Sequence, residues 1–218
     1  MIRILIADDQ ALVRDGLKAI AELENDIEVV GEAADGSEAV EATRRLHPDV
    51  VLMDVRMPGM DGIEAARRLL NDAHPPRVLM LTTFDRNEYV YEAMKAGASG
   101  FLLKDVRRDQ LAEAIRTVAA GDALIAPSIT RRLIEQFCSR PSPAGMPEEA
   151  ATLTPREMEV LKHVARGLSN AEIAQELFVG QTTVKTHVGR ILTKLGLRDR
   201  VQIVVFAYET GLVQPGTS

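Results

Sequence analysis

The sequence predicts an α/β fold, a five-stranded doubly wound parallel sheet, followed by a small all-α domain. Three observations lead there. Short apolar runs alternate with helix-like stretches through the first half of the chain, four of the five runs stop at a residue with a reactive side chain, and beyond residue 150 apolar residues recur only at helical spacing.

The first run, Ile2 to Ala7, is apolar and rich in β-branched residues apart from Arg3, as a strand buried on both faces requires, and it stops at Asp8-Asp9. Ile27 to Ala33, Val50 to Asp54, Arg77 to Thr82 and Gly100 to Leu103 follow the same plan. The stretches between them show a helical period. Leu12, Val13, Leu17, Ile20 and Leu23 are assigned to one stripe, Ile63, Ala66, Leu69 and Leu70 to a second, and Leu111, Ala114, Ile115 and Val118 to a third. Strict alternation of strand and helix implies right-handed crossovers and helices on both faces of the sheet. Gly121-Asp122 closes the last of these helices. Ile129, Leu133, Ile134 and Phe137 then suggest one short helix, and residues 138–151, with three prolines, have linker composition. The expected division is therefore 1–121, a linker 122–151, and a second domain 152–218.

In that second domain Thr154-Pro155-Arg156-Glu157 is a capping box with proline at the first helical position, and Ser169-Asn170-Ala171-Glu172 repeats the device. The helices they open carry Val160, Leu161, Val164 and Ala165, then Ile173, Ala174 and Leu177. A turn at Phe178-Val179-Gly180 leads to a third helix, from about Gln181 to Leu195, with Val184, Val188, Ile191, Leu192 and Leu195 apolar. A last helix, from about Asp199 to Thr210, presents Val201, Val204, Val205 and Tyr208 before Gly211.

Composition narrows the classes of function. Of 218 residues 46% are hydrophobic and 27% charged, which excludes a disordered, collagenous or disulfide-built chain. No apolar run approaches the roughly 18 residues that span a bilayer, and the opening residues do not form a signal peptide, so a cytoplasmic protein with no membrane partner is expected. The single Cys138 rules out an intrachain disulfide. The net charge of -6 divides unevenly: residues 152–218 carry +2 and residues 1–151 carry -8. Between Lys185 and Arg200 five basic residues face one acid, so an anionic partner belongs there.

In open parallel sheets the reactive groups sit just past the carboxyl ends of the strands, and those positions hold Asp8, Asp9, Asp54, Thr82 and Lys104. Clustered carboxylates repel unless they share a cation, and an all-oxygen set suits Mg2+. The chemistry suggested is phosphoryl transfer to Asp54, with the metal and Lys104 neutralising charge and the Thr82 hydroxyl bonding a phosphoryl oxygen. Singly, each residue has a structural reading as a helix cap, a turn or a solvated charge. Their joint placement at the ends of the correct strands favours the chemistry.

Asp8-Asp9, the run Leu52-Met53-Asp54-Val55-Arg56-Met57-Pro58-Gly59-Met60-Asp61-Gly62, Leu81-Thr82-Thr83, and Ala96 to Lys104 resemble the receiver domain of two-component response regulators across residues 1 to about 120. The resemblance implies a flavodoxin-like sheet of order 2-1-3-4-5. It also implies magnesium held by Asp8, Asp9, Asp54 and the backbone carbonyl of Arg56, and a switch pair at Thr82 and Phe101. Asp61-Gly62 is read as turn and cap only.

Helices two and three of the second domain fit a helix-turn-helix. Leu153 to Glu157, Gly167 to Ala174 and Thr183 to Val188 resemble the LuxR type, so the whole chain resembles a NarL/FixJ-type response regulator. That resemblance implies a sensor histidine kinase as phosphodonor, homodimers, and double-stranded DNA as target. The expected contacts are Lys185 and Thr186 at base edges or nearby phosphates, Thr182, Thr183, Arg190 and Lys194 positioning the backbone, and His187 structural or at a phosphate. Two departures from the family pattern are Gly180, where a capping Ser is usual, and Gly189, where some members place a basic residue. The competing readings are a regulator that works without phosphorylation and a magnesium-dependent phosphatase of the haloacid dehalogenase type. The phosphatase would carry its nucleophile after the first strand rather than the third.

Overall fold

The amino-terminal half alternates as its apolar runs dictate: β1 (Ile2–Ala7), α1 (Ala11–Ala21), β2 (Ile27–Ala33), α2 (Gly36–Leu46), β3 (Val50–Asp54), α3 (Gly62–Leu70), β4 (Arg77–Thr82), α4 (Asn87–Ala96), β5 (Gly100–Leu103) and α5 (Arg108–Ala119). The computed structural model describes residues 1–82, 87–121, 124–125 and 148–213. The linker helix expected over Ile129 to Phe137, Thr83 and Cys138 lie outside those residues. Two compact units emerge, Met1–Leu124 and Ile125–Ser218.

The sheet order is β2-β1-β3-β4-β5-β6, and the pairs from β2 to β5 are all parallel. The sheet has six strands rather than five. The added β6 (Leu124–Ile125) contributes two residues at the edge, too few to show an alternating pattern in the sequence. All five residues of β3 are buried, as a central strand between two helix layers requires. Ile4, Ile6, Leu52, Leu79 and Leu81 form the core with Leu17 and Ala21 of α1 and Leu111, Ile115 and Val118 of α5. The chain reverses direction across the sheet between β1 and β3, which opens the crevice where the carboxylates gather.

The stripe assigned to α1 needs correction. Val13, Leu17 and Ile20 pack inward, but Leu12 is 85% and Leu23 60% exposed. Leu12 lies about 140° around the helix from Leu17, and Leu23 falls beyond the last turn; Ala21, one turn after Leu17, fills the core instead. The stripe on α5 is buried throughout.

The second unit holds a 3₁₀ turn (Glu148–Thr152), α6 (Pro155–Ala165), α7 (Asn170–Glu176), α8 (Gln181–Leu195) and α9 (Arg200–Glu209). Both expected capping boxes form. The Glu157 N–H donates to Thr154 Oγ1 at 3.3 Å while the Thr154 N–H donates to Glu157 Oε2 at 2.8 Å, and Ser169 and Glu172 repeat the exchange. Val160, Leu161, Val164, Ile173, Val184, Ile191, Val201 and Val204 form the helical core. Gly180 caps α8 without a side-chain bond, and α8 ends at Gly196 with φ of 64°.

Leu17→Ala should destabilise the first unit by about 2–4 kcal/mol, whereas Leu12→Ala should change stability by no more than about 0.5 kcal/mol. Urea denaturation of the two variants checks this; equal losses would mean that α1 packs through a different face.

Candidate functional site

Four strand ends deliver the candidate groups to one edge of the sheet. Asp8 follows β1 and is fully buried, Asp54 ends β3 and is 5% exposed, and Asp9 is exposed. Carboxylate oxygens of Asp8, Asp9 and Asp54 lie within 4.8 Å of one another. Lys104, just past β5, reaches between them: its Nζ is 2.6 Å from Asp8 Oδ2 and 3.0 Å from Asp54 Oδ2, and its side chain is 7% exposed. The Lys104 N–H also donates to the Thr82 carbonyl at 2.8 Å, which fixes the ammonium relative to β4.

Burial raises the Asp54 carboxyl above its ordinary value. Lys104 pulls it down, the charge on Asp8 pushes it up, and the Arg56 backbone N–H bond lowers it. The Gln10 N–H donates to Asp8 Oδ1 at 3.0 Å, and Arg14 Nη1 donates to the Asp8 carbonyl at 2.6 Å. Three convergent carboxylates, two of them buried, are hard oxygen donors of the kind that hold Mg2+, so the residues fit that ion.

Thr82 is buried at the end of β4, and Phe101 is buried within β5. In the β4–β5 register Thr82 pairs with Leu103 and Met80 with Phe101, so Thr82 and Phe101 share a sheet face one diagonal step apart. A cleft of about 520 Å³ lies elsewhere, lined by Arg44, His47, Asp49, Asp72 and Arg77 among others, and includes none of these groups.

Gly62 does more than begin a helix. A Cβ on it would stand 1.8 Å from the Asp54 carbonyl oxygen, and its N–H donates to the Val55 carbonyl at 3.1 Å. The segment that carries Asp54 is thus clamped against the first turn of α3, whose cap is Asp61 accepting from the Glu64 N–H at 2.8 Å. Sequence alone shows a glycine after an aspartate, a common turn pair, and gives no sign of the close approach.

In the second unit α7 and α8 meet at a tight turn. Phe178 there has φ of 54° and is 95% exposed, and Arg156 Nη2 donates to the Leu177 carbonyl at 2.9 Å. Thr182, Thr183, Lys185, Thr186 and Arg190 are exposed on α8. Thr182, Lys185, Thr186 and Gly189 fall on one side at helical spacing. The Thr186 hydroxyl donates to the Thr182 carbonyl at 2.9 Å.

His187 and Lys194 differ. His187 is half-buried with Nδ1 enclosed, and Lys194 lies half a turn around the helix from Lys185. Lys194 Nζ is 2.6 Å from Glu157 Oε2 and 3.1 Å from the Thr152 carbonyl. Lys194 is thus bonded within its own domain, on the side of α8 opposite Lys185. Lys194, with the Thr154 cap, holds the Glu157 carboxyl down at about 2.

Two family models cover this architecture: the response regulator receiver domain matches residues 4–116, and the bacterial regulatory proteins of the luxR family match residues 151–207. This chain is a response regulator. It belongs to the transcriptional regulatory proteins that join a receiver to a LuxR-type DNA-binding domain. It is 44% identical over 98% of both chains to the transcriptional regulatory protein YxjL of Bacillus subtilis. It is 42% identical to LiaR of the same organism, over 98% of this chain and 100% of LiaR. Among solved structures it resembles the response regulator ChrA of a heme-sensing two-component system, with 39% identity, a TM-score of 0.54, and coverage of 97% of this response regulator and 98% of ChrA. Among the described residues no helix is long and apolar enough to cross a membrane.

Gly62→Ala should cost about 2–4 kcal/mol, because backbone rather than a flexible side chain must give way. Gly16→Ala, where nothing stands within 4 Å of the added carbon, should be neutral or stabilise by up to about 1 kcal/mol. Comparable denaturation midpoints for the two variants would refute the clamp.

The Glu157 carboxyl is depressed on folding, so its stabilisation is complete above the unfolded value near 4.5 and is lost as pH falls from there toward 2. Thermal melts of wild type and Glu157→Gln should therefore differ at pH 6 and converge only as the pH falls toward 2.

Proposed function

We propose that this regulator accepts a phosphoryl group on Asp54 from a sensor histidine kinase and, once modified, dimerises and binds double-stranded operator DNA through α8. Residues 1–121 would form the receiver, 122–151 the linker and 152–218 the DNA-binding domain, working in the cytoplasm without a membrane partner. The observation that carries the reading is the shared ion-pair site, in which Lys104 touches both buried carboxylates.

An Asp54 carboxylate oxygen attacks the phosphorus, the bond to the donor's histidine nitrogen breaks, and that nitrogen leaves with the electron pair. Asp54 is held for this by the Gly62 clamp and by the Arg56 N–H. Lys104 offers its ammonium to the charge arriving on the phosphoryl oxygens, and the Thr82 hydroxyl would bond one of them. Magnesium held by Asp8, Asp9, Asp54 and the Arg56 backbone carbonyl would neutralise charge on the transferring group. Thr82 and Phe101, on one sheet face, would then favour a second receiver conformation. The receiver match over residues 4–116 supports an acceptor role over a phosphatase with its nucleophile after β1.

On the DNA side, Lys185 and Thr186 read base edges or nearby phosphates, and Thr182, Thr183 and Arg190 contact the backbone. His187, half-buried, is structural or meets a phosphate, and Lys194, paired with Glu157, lies on the opposite side of α8 from Lys185. Gly189 leaves a gap beside Lys185, so sequence-dependent DNA shape takes a larger share of the readout.

Intact mass after incubation with Mg2+ and acetyl phosphate should show one added phosphoryl group on wild type and none on Asp54→Asn. Lys185→Ala should keep that mass gain yet lose about tenfold in operator affinity. Unaltered DNA binding by Lys185→Ala would show that α8 presents another face to its target.

A further inference from the structure

Arg56 stands two residues beyond Asp54 and serves the site through its backbone, whose N–H bonds the Asp54 carboxylate. Its side chain has a separate partner. Arg56 Nη1 donates to the hydroxyl of Tyr89 in the first turn of α4, and the guanidinium carbon lies 5.4 Å from the Tyr89 ring centroid. We propose that Arg56 and Tyr89 form an exchange pair, in which Tyr89 is a positioning residue that holds the guanidinium against α4 until a phosphoryl group at Asp54 takes it over. This rests on Asp54 being the acceptor.

Charge at the site creates the demand. Lys104 is enclosed and already shared between Asp8 and Asp54, so one ammonium answers two carboxylates before any phosphoryl group arrives. Arg56 is a neighbouring cation and is exposed, whereas Arg14 is engaged by the Asp8 carbonyl and Glu32.

Its backbone has no room to adjust. The Val55 N–H donates to the Leu81 carbonyl at 3.1 Å, Met57 is buried, and Gly62 presses on the Asp54 carbonyl. Only the guanidinium can travel. At rest it bonds a neutral hydroxyl and the face of a half-buried ring, both weak acceptors compared with an anion. A guanidinium binds phosphoryl oxygens through charge-assisted, often paired hydrogen bonds, which are about twice as strong as neutral ones. As the Asp54 oxygen bonds to phosphorus and the donor's leaving group departs with its electron pair, Arg56 exchanges Tyr89 for the new oxygens. The same event removes from α4 a contact that had tied it to the loop after β3.

The experiment is a double-mutant cycle on the rate of mass gain from acetyl phosphate with Mg2+, using the full chain. Arg56→Ala should slow the gain about tenfold. Tyr89→Ala should speed it about two- to fivefold, the ratio carried by an exposed cation–π contact that transfer must otherwise break, and Tyr89→Phe should give a smaller rise. In the Arg56→Ala background Tyr89→Ala should change nothing. An equal effect of Tyr89→Ala in both backgrounds would mean that Tyr89 acts only on the fold of α4, and an unaltered rate in Arg56→Ala would remove the guanidinium from the reaction; either overturns the pair. Asp54→Asn runs alongside. A mass gain there would overturn the acceptor assignment itself, and the exchange pair with it, a failure distinct from the other two.

Discussion

Two carboxylates taken out of water at the end of a parallel sheet repel each other, and one ammonium set between them offsets that repulsion. Lys104 lies within ion-pair distance of both Asp8 and Asp54 while almost wholly enclosed. Removing one partner of a buried pair leaves an uncompensated charge, so the three groups depend on each other as no surface ion pair does. Much of the receiver serves to keep them together. The central strand β3 is buried throughout, β1 and β3 lie side by side, and the register of β4 with β5 brings Lys104 to the same edge. The site remains short of positive charge, which suits a divalent cation.

The helical unit solves a related problem with the opposite outcome. Glu157 belongs to a capping box, yet it is 2% exposed and receives an ammonium from Lys194, two helices later in the chain. One carboxylate is therefore both the N-terminal cap of α6 and the anchor for the last turn of α8. The helix whose other side carries Lys185 and Thr186 is held through a charge pair as well as through Val184 and Ile191. Asp199 and Ser169 cap their helices in the ordinary way, so the unit is assembled from locally specified pieces and tightened by a few distant bonds.

Periodicity and punctuation are local properties, and they were legible. The five expected strands have the bounds read from their apolar runs, and α8 and α9 start and stop where caps and glycines place them. Where periodicity misled, the cause was geometric: Leu12 is apolar and adjacent to Val13, but 100° per residue carries it out of the core. The sixth strand was too short to leave a pattern.

The candidate site divides along the same line. Asp8, Asp9, Asp54, Thr82 and Lys104 could be named from sequence because a parallel sheet puts the residue after each strand at a common edge. Gly62 against the Asp54 carbonyl, Lys194 on Glu157 and Arg56 on Tyr89 could not. Each joins residues whose meeting depends on how separate elements pack, over separations of 8, 37 and 33 positions. The sequence by itself determined which residues form strands and helices, and which chemical groups the sheet edge would collect, since both follow from side-chain period and chain direction. Only the tertiary structure decided which of those groups touch, because contact at ångström range is set by register, crossover and helix rotation, which no local run of residues encodes.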